Sequence, residues 1–150
     1  MRFSKDKEIS FQRLQDCSAE QWHQILRLRS DVFVVEQECI YPDPDEEDKT
    51  AIHLSLVEAG ELRAYARLYE KEHLHLGRII VAAPHRKRGL SSILMKACME
   101  YWQESSFGTI ELSAQVYLSD YYHSFGFEVN GRMYLEDGIP HLRMLKHKDS

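Results

Sequence analysis

Cysteine is scarce in this chain, and its three copies, Cys17, Cys39 and Cys98, are scattered without a C-x-x-C spacing. An odd, unpaired set argues against a disulfide scaffold, a zinc knuckle and a redox dithiol, and reduced thiols point to the cytoplasm. Long apolar runs are missing too. Nothing approaches the roughly twenty residues of a membrane span, and residues 1–8 hold no apolar signal core. Basic charge is not in excess: 19 Lys and Arg stand against 24 Asp and Glu, a net charge of −5. Dedicated binding to nucleic acid or an anionic membrane rests on cations that neutralise phosphates, so neither is expected. A small anion held by a local basic cluster stays open. The nucleotide loops G-x-x-x-x-G-K-[ST] and G-x-G-x-x-G are both absent, which sets aside triphosphatase and dinucleotide readings.

What remains is ordinary for one globular domain spanning residues 1–150, with 43% hydrophobic residues and no internal repeat or low-complexity segment. Residues 9–14 read as a strand. Ser18-Ala19-Glu20-Gln21 is a capping-box pattern, and Trp22, Ile25, Leu26, Leu28 and Val32 carry a helix into Phe33. Residues 34–48 read as a loop, because Pro42 and Pro44 forbid helix and the five acidic residues from Asp43 to Asp48 repel one another. Three strands follow, at 51–58, 62–69 and 74–81. In the middle one Leu62, Ala64, Ala66 and Leu68 alternate with Arg63, Tyr65, Arg67 and Tyr69, the pattern of a strand with one buried face. A helix over 90–103, a strand over 109–114 and a short helix over 116–125 come next, with Gly126 as its stop. Residues 127–135 and 141–145 close the chain as a hairpin across Asp137-Gly138-Ile139-Pro140. The order β-α-β-β-β-α-β-α-β-β implies an α/β (α+β) domain with a mixed, mostly antiparallel central sheet flanked by helices. Its edge strands offer a route to a homodimer.

The most pointed local feature is Arg86-Lys87-Arg88-Gly89-Leu90-Ser91, between the strand Ile79-Ile80-Val81 and a helix. A helix N-terminus behind a glycine-bearing loop presents free N–H groups and the positive dipole end, which together suit phosphate. A solvated basic loop has the same composition, and spacing alone does not separate the two. The stretch Arg86-x-x-Gly89-x-Ser91 resembles the Q/R-x-x-G-x-G/A loop of the GNAT acetyltransferases, and Tyr122-His123-Ser124-Phe125-Gly126-Phe127 resembles that superfamily's Y-x-x-x-G-F segment. Val32-Phe33-Val34-Val35-Glu36-Gln37 and Glu136-Asp137-Gly138-Ile139-Pro140-His141 are similar to signatures of its ElaA branch. The likeness runs in order from about residue 11 to 145. Ser91 departs from the usual glycine or alanine; serine is small enough for close approach, and its hydroxyl is free to cap the helix or meet a phosphate.

The resemblance implies transfer of an acetyl group from acetyl-coenzyme A to the amine of a small molecule or protein, without a metal. It assigns the donor to the backbone of Ile79, Ile80 and Val81 and to Arg86, Lys87, Arg88, Gly89, Leu90, Ser91 and Ser92. It makes Tyr122 the general acid for the departing thiolate, although Tyr117, Tyr121 and Phe125 nearby equally fit aromatic core packing. The general base is not settled by the motifs, since Leu76 to Val81 contains no carboxylate. Glu36 and His141 come first; His53, Glu136 and Asp137 are further candidates, Gln115 is a candidate pocket lining, and a water chain needs no base at all. The acidic stretch from Asp43 is either a solvated loop or a lure for a cationic amine. A non-catalytic acyl-coenzyme A-binding module acting through a protein partner is the alternative that the missing carboxylate favours.

Overall fold

The computed structural model describes residues 7–149; residues 1–6, part of the stretch read for a signal core, and residue 150 lie outside the described residues. Eight strands form one sheet in the order β1-β2-β3-β4-β5-β8-β6, with β7 pairing β8. The strands are β1 (Lys7–Gln12), β2 (Ile52–Glu58), β3 (Glu61–Glu70), β4 (Leu74–Val81), β5 (Thr109–Gln115), β6 (Glu128–Val129), β7 (Tyr134–Glu136) and β8 (Ile139–His147). All neighbours are antiparallel except β4 and β5, which the helix α2 (Leu90–Glu104) joins as a crossover. The mixed, mostly antiparallel architecture expected from the element order is the observed one.

The two faces of the sheet carry different cores. On one, α2 presents Leu94, Met95, Cys98 and Trp102 to Leu54, Leu56, Ala66 and Leu76. Burial pushes the Cys98 thiol up to about 12, so it behaves as a small apolar filler. On the other, α1 (Ala19–Arg29) packs Ile25 over Tyr65 and Ile80. The Ser18–Gln21 capping box closes its N-terminus, with Gln21 N–H donating to Ser18 Oγ at 3.0 Å. The helix does not give way to loop after Phe33. It continues as a π-helical segment, Ser30–Glu36, which carries Phe33 and Glu36 forward to the site described below.

The acidic stretch corrects both readings made of it. Asp43 and Asp48 are buried while Asp45 and Glu46 are exposed, so it is neither wholly solvated nor a free field for a cation. Arg29, fully buried on α1, donates to Asp43 at 2.8 Å and to Asp48 at 2.7 Å. Arg67 on β3 donates to Asp45 and to Asp48, the latter at 2.8 Å, and Arg78 on β4 reaches Asp43 at 3.0 Å. His53 joins the cluster: its Nε2 donates to the Asp48 carbonyl at 2.9 Å, leaving Nδ1 to accept from the Tyr65 hydroxyl at 2.6 Å. This is why β3 is buried on both faces, where alternation implied one exposed face. Its polar set, Tyr65 and Arg67, is covered by partners that only the fold brings over it, Arg29 lying 36 positions from Tyr65 and Asp45 22 from Arg67.

Burial opposes ionisation of Asp45 and Asp48, but the Arg67 and Arg29 hydrogen bonds outweigh it and hold both below the ordinary 3.8. Burial also holds His53 below 6.5. Each group binds its proton more weakly folded than unfolded, so the stability it contributes is complete above its ordinary value and lost as pH falls. Urea unfolding from pH 8 to pH 3 will show a first decline below about 6.5 and a steeper one below about 3.8. Arg29→Met, which takes one guanidinium partner from each of two buried carboxylates, will lower the unfolding free energy at pH 7.5 by about 3–5 kcal/mol.

Candidate active site

The site exists because β4 and β5 stop pairing. Their parallel register runs only from Leu74 opposite Ile110 to Leu76 opposite Leu112. Immediately beyond, Gly77 faces Arg67 and Ile80 faces Tyr65, so β4 advances one residue more than β3. That bulge is centred on Arg78, whose φ of 51° is left-handed. The guanidinium of Arg78 lies over the rings of Phe33 and Tyr41, at 5.9 and 5.6 Å, while Asp43 accepts from it. β5 meanwhile stays paired with β8 as far as Gln115 opposite His141. The strands splay, and a cleft of about 600 Å³ opens between them.

At one end of the cleft stands the N-terminus of α2. Gly89 takes φ +77°, a conformation that the turn requires and that a β-branched residue resists, and a Cβ there would meet nothing within 4 Å. No side chain caps the helix, so the first-turn N–H groups of Leu90, Ser91 and Ser92 are left for an anion, with the helix dipole behind them. All three residues line the cleft, as do Ile79, Ile80, Val81, Arg86, Lys87 and Gly89.

The basic side chains of the loop differ in their partners. Arg88 turns away from the cleft and donates to Glu58 at 2.9 Å, so only its backbone remains with the loop. Arg86 forms a two-pronged pair with Glu36, one arm at 2.9 Å, and its Nε donates to the Val81 carbonyl at 3.1 Å. Lys87 is left as the cleft-lining cation of the loop without an ion pair among the described residues. Nor does the Ser91 hydroxyl cap the helix; it shares a 2.6 Å hydrogen bond with the Tyr121 hydroxyl.

Tyr122 lies on α3 (Ser119–His123), beneath this helix end. It lines the cleft while 7% exposed, and burial raises its phenol above the ordinary 10.0, so it carries its proton at neutral pH. Its hydroxyl has no hydrogen-bond partner among the described residues. Core packing and a place at the cleft are therefore both true of it. The residues that follow hold it there. Phe127 is fully buried, and Gly126 turns the chain at φ +95°, where a Cβ would come within 2.9 Å of Lys146 Cε.

Of the base candidates, His53 lies buried in the charge cluster and does not line the cleft. Glu36 lines it, but its hydrogen bond to Arg86 holds the carboxyl below its ordinary range, which makes it a weak proton acceptor. His141 and Glu136 both line the cleft, with Nε2 and Oε2 3.3 Å apart. Nδ1 of His141 is 2.7 Å from the Ile139 carbonyl, which can only accept, so Nδ1 carries hydrogen and Nε2 is the basic position. Sequence reasoning missed Arg78, Tyr41 and Gly77. The glycine inside an otherwise apolar strand was the available signal for the bulge.

The Acetyltransferase (GNAT) domain family matches residues 14–148. The chain belongs to the GNAT acetyltransferases. It is 39% identical over 142 residues to a UPF0039 protein of Schizosaccharomyces pombe, covering 91% of this chain and 95% of that one. The crystal structure of Escherichia coli ElaA superposes with a TM-score of 0.88 at 34% identity, covering 94% of this chain and 99% of the other. An acyl-CoA N-acyltransferase from Pseudomonas aeruginosa gives 0.86 at 31% identity, with coverage of 93% and 99%. The GNAT fold and the ElaA likeness expected from the motifs are thus borne out, and the family's co-substrate is an acyl-coenzyme A. Among the described residues no helix is long and apolar enough to cross a membrane, and no cluster is arranged to hold a metal.

The uncapped end of α2, with its free N–H groups and the helix dipole behind them, is suited to an anion such as a phosphate. Gly89→Val will weaken coenzyme A binding about five- to thirtyfold, through the cost of about 1–2 kcal/mol of holding a side chain at positive φ. Calorimetric titration of coenzyme A into the variant checks it, and unchanged affinity would remove the loop from the donor site.

Proposed function

We propose that this GNAT protein transfers the acetyl group of acetyl-coenzyme A to a primary amine, with Tyr122 as general acid and His141 as general base. The observation that carries the reading is the cleft between β4 and β5, which is lined both by an uncapped helix end and by the His141–Glu136 pair. The donor supplies a thioester, whose carbonyl is open to attack by a neutral amine. The first turn of α2 and Lys87 bind its phosphates. The unpaired edge of β4 beyond Leu76 offers main-chain groups to the pantetheine arm.

His141 takes the proton. Its Nδ1–H is committed to the Ile139 carbonyl, so Nε2 has the lone pair, and Glu136 stabilises the imidazolium that forms. Tyr122 gives one. A protonated phenol donates to a thiolate as it develops, and partial burial strengthens that hydrogen bond. Glu36 moves from base to strut: with Arg86 it ties the π-helical segment to the phosphate loop.

The absence of a carboxylate on the cleft-facing part of β4 favours a second reading, a module that binds acyl-coenzyme A and acts through a partner. One assay separates them. Acetyl-coenzyme A with a panel of primary amines will release free thiol, and Tyr122→Phe and His141→Ala will each cut turnover by about a hundredfold with donor affinity retained. A melting temperature raised by acetyl-coenzyme A without thiol release from any amine selects the binding module.

A further inference from the structure

The cleft wall on the side away from α2 contains a gap that no side chain fills. Gly77 lines it opposite Arg67, outside the left-handed region, and a Cβ built there would meet nothing within 4 Å. Neither a turn nor packing requires glycine at this position. Glycine in a strand interior weakens the strand and marks places where something else must come close. The same face carries Ser113, Gln115 and His141 from the diverging side. The Gln115 amide has no hydrogen-bond partner among the described residues.

The charges around the gap leave one sign over. Arg78 is engaged by Asp43 and Asp45, Arg86 by Glu36, and Arg143 by Glu111. Lys87 stands in the phosphate loop. Glu136 and Asp137 line the cleft, and the ion-pair partner of Glu136 is His141. With Nδ1 committed to a carbonyl, a neutral His141 turns a lone pair toward the Glu136 carboxylate 3.3 Å away. Two acceptors so close are joined by a group with several N–H donors, as an ammonium has. With Lys87 assigned to the donor's phosphates, no cation is left to meet a carboxylate, whose unpaired burial is costly.

We infer that this face is the acceptor subsite and takes a cationic primary amine with no carboxylate on its amine-bearing carbon. Glu136 and His141 hold the ammonium, and the carbon skeleton lies over Gly77. The inference rests on the acyl-transfer reading above. It excludes free α-amino acids and admits alkylamines and amines of side-chain type.

Calorimetric titration of butylamine, norvalinamide and norvaline into the protein saturated with coenzyme A tests it, run beside thiol release from acetyl-coenzyme A. Norvalinamide and norvaline share a skeleton and differ by one charge. Butylamine and norvalinamide will bind, and norvaline will bind about tenfold more weakly or worse. Glu136→Gln will weaken butylamine about threefold, and Gly77→Val about tenfold or more. The melting temperature of Gly77→Val will be unchanged or raised, because a strand accepts valine. Gly77→Ala gives the same direction with a smaller effect and guards against a valine variant that fails to fold. Norvaline binding as tightly as norvalinamide overturns the inference, as does butylamine affinity indifferent to both Gly77 variants. Amines that bind in the expected order without thiol release leave the subsite standing and remove acyl transfer. Thiol release that ignores the carboxylate and the Gly77 variants keeps the transfer and removes the subsite.

Discussion

The structure turns on a pairing that is broken off. Two parallel strands in the middle of a sheet should exchange hydrogen bonds along their whole length, because a buried N–H or C=O without a partner is costly. Here β4 and β5 do so for three residue pairs and then part. Everything chemical follows from that edge inside the protein. It makes a cleft, lines both walls with backbone that still has bonds to offer, and aims the N-terminus of α2 at the opening. The left-handed Arg78 sustains the divergence by inserting an extra residue into β4.

A strained arginine in a bulge needs support, and the buried charge cluster gives it. Asp43 holds Arg78 from one side and Arg29 from the other, while Asp48 links Arg29 to Arg67. The cluster thereby locks α1, the 43–48 segment, β3 and β4 into one unit beneath the cleft. Buried ion pairs contribute less net stability than their number suggests, because desolvation opposes the attraction. Their value here is geometric: the guanidinium of Arg78 keeps Phe33 and Tyr41 in place as walls. The Arg86–Glu36 pair does similar work at the rim, binding the π-helical segment to the phosphate loop.

Local signals were legible wherever the physics was local. The Ser18–Gln21 capping box, the glycine before α2 and the turn at Gly126 each appear in the structure as read, since each depends on a few neighbouring backbone dihedrals. Alternation located β3 but misjudged its second face, because period two reports polarity and cannot report what covers it. The basic loop shows the same limit. Three adjacent cations looked like one phosphate clamp, yet Arg86 and Arg88 find carboxylates 50 and 30 positions away along the chain. Composition counts charges and is silent about their partners.

By itself, the sequence determined most of the element order, the mixed sheet, the helix start behind Gly89, and the family through motifs spaced along nearly the whole chain; it missed the π-helical run to Glu36 and the split of residues 127–135 into β6 and β7. These follow from periodicity, capping and turn chemistry, which act over a few residues. Only the tertiary structure decided which charges are free. It buried Asp43 and Asp48, set His53 among them away from the cleft, paired Glu36 with Arg86, and left Glu136 beside His141. Whether an ionisable group can bind or catalyse depends on what it already touches, and that is set by long-range packing that no local pattern encodes.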